Sequence, residues 1–221
     1  RQRQMCIRDR FFRVSGREIV ASPIKGTIAR SDKAAEDEKR VSALLASAKD
    51  RAENLMIVDL IRNDMGRICE YKSIQAQLYE LVSLPQLFHL VSHVRGTLRP
   101  GTGLLDILRA FFPCGSITGA PKIRAMEILA EIERVPRGVS MGAIGIVLGA
   151  PGSDRCEMDF NVAIRTMVVD EDKATFNVGG GIVYESNPEA EYNEMILKAR
   201  PLLEALGVGQ PPELLAVRTM P

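Results

Sequence analysis

The run Phe11-Phe12-Arg13-Val14-Ser15-Gly16-Arg17-Glu18-Ile19-Val20 decides how this chain is read. Two short apolar segments, 11–14 and 18–20, flank a Ser-Gly turn signal, which is the pattern of an antiparallel hairpin. The pattern returns late in the chain, where 158–169 and 174–183 flank Asp170-Glu171-Asp172. Residues 11–28 therefore read as a hairpin followed by a loop. Strands are expected over 74–82 and 87–98, and a small, apolar, buried strand over 139–148.

Helical patterns lie between these segments. A polar helix is expected over about 32–45. A second starts after Ser47, a capping residue with Asp50 three positions on, and ends near 63–66. Ala52, Leu55, Met56, Asp59 and Leu60 fall on one stripe of it. A short helix covers 102–111, residues 112–119 read as a loop, and Pro121 sits as the first residue of a helix reaching about 132. The last helix has Asn187 as its cap and Pro188 at its first position, and it stops at Gly207. Hairpins and helices without regular strand-helix-strand alternation argue for an α+β fold, antiparallel sheets with helices packed outside.

Segment 1–10 is basic and polar, without periodicity, and is set aside as foreign to the fold. Residues 11–207 read as one domain, and 208–221 as a linker or the start of a further segment. The chain has 221 residues, 46% of them hydrophobic, enough for a sizeable core. Its 29 basic and 28 acidic residues leave a formal charge of +1, so no global field favours nucleic acid or an anionic membrane. Cys6, Cys69, Cys114 and Cys156 form no CxxC pair, which points to reduced thiols and a cytoplasmic location. No apolar run has the length of a membrane span.

Four constellations carry chemical potential. Glu191, Glu194 and Lys198 are spaced i, i+3 and i+7, one face of a helix. Two carboxylates there suit a hard cation; the same residues equally make a solvated face with an i,i+4 pair. Glu53 borders the apolar stripe and needs a partner, a metal or an arginine, or else belongs to an ordinary amphipathic helix. Gly115-Ser116-Ile117-Thr118-Gly119-Ala120-Pro121-Lys122 combines glycines, hydroxyls, a lysine and a helix start, as an anion cradle or a plain loop and cap. Gly179-Gly180-Gly181 weakens a strand and marks a ligand's close approach or a tight crossing. Alone, His89 reads as a buried, bonded histidine, Arg165 as an outward strand residue, and Lys25 as a solvated turn lysine.

Five stretches in order resemble the chorismate-binding enzymes, a family that includes anthranilate, aminodeoxychorismate, isochorismate and salicylate synthases. They are Pro-Ile-Lys-Gly-Thr at 23–27, Ala-Glu-Asn-Leu-Met-Ile-Val-Asp-Leu at 52–60, Arg-Asn-Asp at 62–64, Gly-Ser-Ile-Thr-Gly-Ala-Pro-Lys at 115–122, and Gly-Gly-Gly-Ile-Val at 179–183 with Glu-Ala-Glu-Tyr at 189–192. The resemblance implies that Glu53, Glu191 and Glu194 surround Mg2+, which holds the ring carboxylate of chorismate. It places His89 near ring C1 and the departing C4 hydroxyl, Ser116 on the substrate, and Gly26 and Thr27 in the pocket lining. Ile164, Arg165, Gly179, Gly180, Gly181 and Lys198 match groups that hold the enolpyruvyl carboxylate.

Lys25 is what the aminodeoxychorismate branch commonly carries where anthranilate synthases have alanine. In that branch the lysine is thought to attack ring C2 as the C4 hydroxyl leaves, and ammonia from a glutamine amidotransferase subunit then displaces it. The expected function is thus the conversion of chorismate to 4-amino-4-deoxychorismate, for 4-aminobenzoate and folate. Anthranilate synthase, isochorismate synthase and an inactive carboxylate-binding protein are the alternatives. Members of the family are about twice as long, and they place a Ser-Pro-Glu stretch with a general acid where Asp9 stands here. Ser140 stands where members often have an aromatic residue. A chain without the other half of such a core is expected to expose strand edges and apolar surface.

Overall fold

A computed structural model describes residues 10–133, 135–149, 156–171, 173–184 and 186–207. The chain divides into two compact units. The first runs to Pro136 and includes Gly142–Val162; the second comprises Arg137–Met141 and the chain from Ala163.

The first unit is built on a seven-stranded sheet. The opening hairpin forms as its sequence predicts, β1 (Arg10–Ser15) against β2 (Glu18–Ala21), paired antiparallel. Arg10, set aside in the sequence reading, belongs to β1 and pairs with Asp159. Strand β3 (Ile24–Ala29) follows at once, so Lys25 stands in a strand and the expected loop is absent. Two helices come next, α1 (Ala34–Ala46) and α2 (Ala48–Gly66), with Ser47 accepting a bond from the Asp50 amide as the cap of α2. Strand β4 (Gln75–Ser83) then pairs with β5 (Leu87–Thr97), whose other edge is shared by β2 and β3. Helix α3 (Leu104–Phe111) leads to a single turn, α4 (Gly115–Thr118), inside the segment expected to be a loop. In α5 (Lys122–Ile132), Pro121 is the cap in extended conformation and Lys122 is the first helical residue. Strands β6 (Ala143–Leu148) and β7 (Glu157–Val162) complete the sheet in the order β3-β5-β2-β1-β7-β6, with β4 on β5.

Two features set the core. A register shift between Arg10 and Phe12 on β1 lets the adjacent Phe11 and Phe12 both bury, against the strand alternation. Phe12 stacks on Phe160 at 4.9 Å between centroids, and Phe111 meets Phe11 and Phe12 edge-on. Each such pair contributes about 0.5–1.5 kcal/mol beyond area burial. The second feature is the inner face of α2, which consists of Asn54, Ile57, Val58, Asp64 and Met65. Most of the expected stripe faces outward, with Leu55 and Met56 40% and 49% exposed, while Leu60 is half-buried. Periodicity misleads here because two polar residues hold the buried face. Asn54 Oδ1 accepts from Ser92 Oγ on β5 at 2.5 Å, and Asp64 pairs with Lys122.

Strand β6 also departs from expectation. It is an edge strand, and Ile144, Ile146 and Leu148 are 51–56% exposed where a buried strand was anticipated. Gly145 lies on the opposite side, where a Cβ would stand 2.4 Å from the Phe160 ring and 2.6 Å from the Asp159 carbonyl.

The second unit contains the hairpin β8 (Met167–Asp170) and β9 (Lys173–Phe176) and the helix α6 (Pro188–Ala205). Asn187 caps α6 by accepting from the Ala190 amide, as its sequence predicts. Cys6, Asp9 and 208–221 lie outside the described residues. No helix among the described residues is long and apolar enough to cross a membrane.

Two outcomes are expected in urea unfolding. Gly145→Ala lowers stability by about 1–3 kcal/mol, since backbone bounds its site. Gly66→Ala, with nothing within 4 Å of the new methyl, is neutral or raises stability by up to about 1 kcal/mol. A pH series checks the core thiol. Burial pushes the Cys69 pKa up to about 11 from 9.0, with Arg99 pulling the other way. The folded value exceeds the unfolded one, so this contribution is complete below pH 9 and is lost as pH rises through about 11. Cys69→Ala is expected to flatten the alkaline fall in stability over that window by roughly 2 kcal/mol.

Candidate active site

The position of Lys25 follows from a bulge. Ile24 lies opposite Val91 and Thr27 opposite His89, so β3 spends three steps where β5 spends two. The extra residue is accommodated at Gly26, whose φ of 92° suits glycine and disfavours any side chain. A Cβ there would also meet Leu44 at 3.0 Å and Asp50 at 3.2 Å. The bulge turns Lys25 toward α2, and its Nζ lies 3.6 Å from Glu53 Oε2. Both side chains are a little over one-third exposed, so the pair is half-solvated and its net contribution is small.

His89 is buried at 2% exposure on β5. Its Nδ1 lies 2.8 Å from Thr27 Oγ1 across the β3–β5 ladder. The first unit thus brings together four of the residues singled out in the sequence as two pairs that the sequence did not announce, Lys25 with Glu53 and Thr27 with His89.

The stretch 115–122 is arranged differently from an anion cradle. Lys122 Nζ donates to Asp64 Oδ2 at 2.7 Å and to the Phe111 carbonyl at 3.0 Å, with side-chain exposures of 13% and 8% for the ion pair. Its charge is therefore used inside the protein. Burial raises the Asp64 pKa, against the opposing hydrogen bond and charge of Lys122. Removing one partner of such a pair costs about 3–5 kcal/mol. Gly115 sits so close to α2 that a Cβ would overlap Leu60 at 2.2 Å. Ser116 is exposed, with its Oγ 3.2 Å from Cys114 Sγ. The Cys114 thiol is pushed up, chiefly by burial.

In the second unit, α6 presents Glu191, Glu194 and Lys198 along one face. Ser186 Oγ donates to Glu191 Oε1 at 2.8 Å, and Lys198 Nζ reaches Glu194 Oε1 at 2.6 Å. The hydrogen bond from Lys198, and then its charge, hold the Glu194 carboxyl below its ordinary value. The glycine run lies outside the strands that were expected to contain it: β9 ends at Phe176, and 177–181 pass along α6. Lys198 Nζ donates to the Gly179 carbonyl at 3.2 Å, and a Cβ on Gly180 would stand 3.0 Å from Glu191 Oε2. This segment therefore closes on the acidic face of α6, while Gly181 has open space around it. Ile164 and Arg165 fall in the connection between β7 and β8. Arg165 has φ 49°, and the Ile164 carbonyl accepts from Thr166 Oγ1 at 3.0 Å. The strand expected over 158–169 breaks there, so Arg165 is a bend residue. Ser140 is buried in the second unit.

Neither unit gathers three His, Cys, Asp or Glu side chains into a cage among its described residues. Glu191 and Glu194 nevertheless offer hard carboxylate oxygens one turn apart, and magnesium keeps several waters and takes only one or two protein carboxylates. The donor set fits that cation in kind.

Sequence reasoning missed Asp64 and Asn54. Both lie in the quoted stretches, and a polar residue recurring on a helix's inner face was the available signal.

A profile of the chorismate binding enzyme family matches residues 9–204. A probable chloroplastic aminodeoxychorismate synthase of Oryza sativa subsp. japonica is 46% identical over 194 residues, 87% of this chain and 21% of that protein. Anthranilate synthase component 1 of Streptomyces coelicolor is 44% identical over 195 residues, 88% of this chain and 37% of that one. Among solved structures, anthranilate synthase component I of Streptococcus pneumoniae superposes with a TM-score of 0.74 at 39% identity, covering 87% of this chain and 41% of its own. The chain spans well under half the length of these relatives. A profile match over nearly its whole length, on a fold shared at that level of similarity, shows that the chain belongs to the chorismate-binding enzyme family.

Proposed function

We propose that this chain carries the substrate site of an aminodeoxychorismate synthase component I, which converts chorismate and ammonia to 4-amino-4-deoxychorismate for 4-aminobenzoate and folate synthesis. The observation that carries the reading is the place of Lys25. Its amine is set by a strand bulge and faces a carboxylate, where a solvated turn was the default for such a lysine. Aminodeoxychorismate synthases of rice and Arabidopsis, at 46% and 43% identity, support the assignment.

The chemistry follows from residues already described. Lys25 attacks through the Nζ lone pair once its ammonium has given up a proton to solvent: a bond forms from Nζ to ring C2, the ring double bonds shift, and the C4–oxygen bond breaks. The proton lost by the amine and the departing hydroxide leave as water. Ammonia then bonds to C4, the double bonds shift back, and the C2–nitrogen bond breaks; a proton passes from the added nitrogen to the departing one, so Lys25 leaves as the amine and the product carries an amino group. His89, held by Thr27, is the group assigned to the departing hydroxyl. Gly179, Gly180, Gly181, Arg165 with Ile164, and Lys198 bind the enolpyruvyl carboxylate, and Ser116, Gly26 and Thr27 contact the ring side. Glu191 and Glu194 would hold Mg2+. The cation would supply charge neutralisation at the ring carboxylate. A glutamine amidotransferase subunit supplies the ammonia.

Anthranilate synthase component I is the second reading, favoured by relatives of that name at 44% identity. Supplying the protein with chorismate, magnesium and ammonium salt separates the two. The expected product is 4-amino-4-deoxychorismate, and Lys25→Ala is expected to lower its rate by about three orders of magnitude or more. Formation of anthranilate, with little loss in the variant, contradicts the proposal and supports the second reading.

A further inference from the structure

Asp64 and Lys122 have no part in the chemistry above, yet Asp64 is buried and the Lys122 side chain is largely so, 13% exposed. Lys122 Nζ joins three elements: Asp64 near the end of α2, the Phe111 carbonyl at the end of α3, and its own position at the start of α5. Residues 112–121, which contain α4, are thus tied at both ends to one ammonium group. The stem of Lys122 also passes α4, its Cε 3.6 Å from where a Gly115 Cβ would lie. On the other side Leu60 leaves no room for that Cβ at all. The turn is held between a helix side chain and the lysine stem, with Ser116 next in sequence to the pinned glycine.

We infer that Lys122 and Asp64 are positioning residues, whose buried pair clamps the Gly115–Thr118 turn against α2 and so fixes where the Ser116 hydroxyl stands. The clamp rests on geometry alone; its consequence for substrate rests on the functional reading above, in which Ser116 contacts chorismate. Two side chains from separate sequence stretches, 62–64 and 115–122, thereby act as one device. A buried ion pair suits this task, since its hydrogen bonds are directional and its cost is high if either partner strays.

The test uses the whole chain with two variants, Lys122→Met and the charge-neutral double variant Asp64→Asn/Lys122→Met. Hydrogen exchange is read at the amides of Ile117, Thr118 and Gly119, which bond to the Cys114 and Gly115 carbonyls at 2.9–3.1 Å. Chorismate affinity is read by calorimetry with magnesium present. The double variant is expected to recover much of the thermal midpoint lost in Lys122→Met, because no lone charge stays buried. Both variants are expected to exchange those three amides about tenfold faster or more, with β5 unchanged, and to bind chorismate about tenfold more weakly. Parent-like exchange at the turn in the double variant overturns the clamp, as does an equal rise across β5. Fast exchange with undiminished affinity overturns the link to substrate. If the parent chain binds no chorismate, the functional reading fails, and the exchange data still decide the clamp.

Discussion

The hydrogen bonding of β5 on both edges constrains the rest of the first unit. β4 occupies one edge, while β2 and β3 must share the other, β2 along 94–97 and β3 along 87–91. Two strands that follow each other in sequence fit one edge only if the chain steps between them. Ser22 and Pro23 make that step, and Pro23, which has no N–H for the ladder, offers its carbonyl to the Ser92 amide at 3.0 Å. The bulge at Lys25 and Gly26 follows immediately. The direction in which Lys25 leaves the strand is thus a consequence of sheet register.

Polar groups in the core play a matching part on the helical side. Asn54 reaches Ser92 on β5, and Ser92 Oγ accepts from the Tyr79 amide at 3.1 Å on β4. The register of α2 against the sheet is therefore specified by a directional bond as well as by Ile57, Val58 and Met65. Glu53 is adjacent to Asn54, so anchoring the amide inward orients the carboxylate toward Lys25. Asp64, further along α2, repeats the arrangement with Lys122. A purely apolar face would have buried comparable area with less control of rotation about the helix axis.

Much of this was legible in the sequence where local rules dominate. The two hairpins, the Ser47 and Asn187 caps and the helix bounds follow from turn chemistry and capping, which need no tertiary context. The family's stretches marked Lys25, Thr27 and Glu53 as site residues, but of the pairs seen in the structure only Glu194 with Lys198 was readable, from its i,i+4 spacing. What was not legible depended on long-range packing. The inner face of α2 was misjudged because its buried polar residues find partners 38 and 58 positions away. β6 was read as buried because its composition is apolar, whereas an edge position is set by topology. The glycine run was read as strand because its flanks are β-branched, but it crosses to α6. Arg165 occupies a left-handed bend that no neighbour in sequence announces.

The proposed reaction requires Lys25 to act as a nucleophile. The most direct measurement is mass spectrometry of the intact protein and its peptides after incubation with chorismate and magnesium in the absence of ammonia. A covalent adduct on the peptide carrying Lys25, heavier by chorismate less one water, is the predicted result, and it should disappear when ammonia is added. Unmodified Lys25 under conditions where ammonia-dependent turnover is measured would contradict the account.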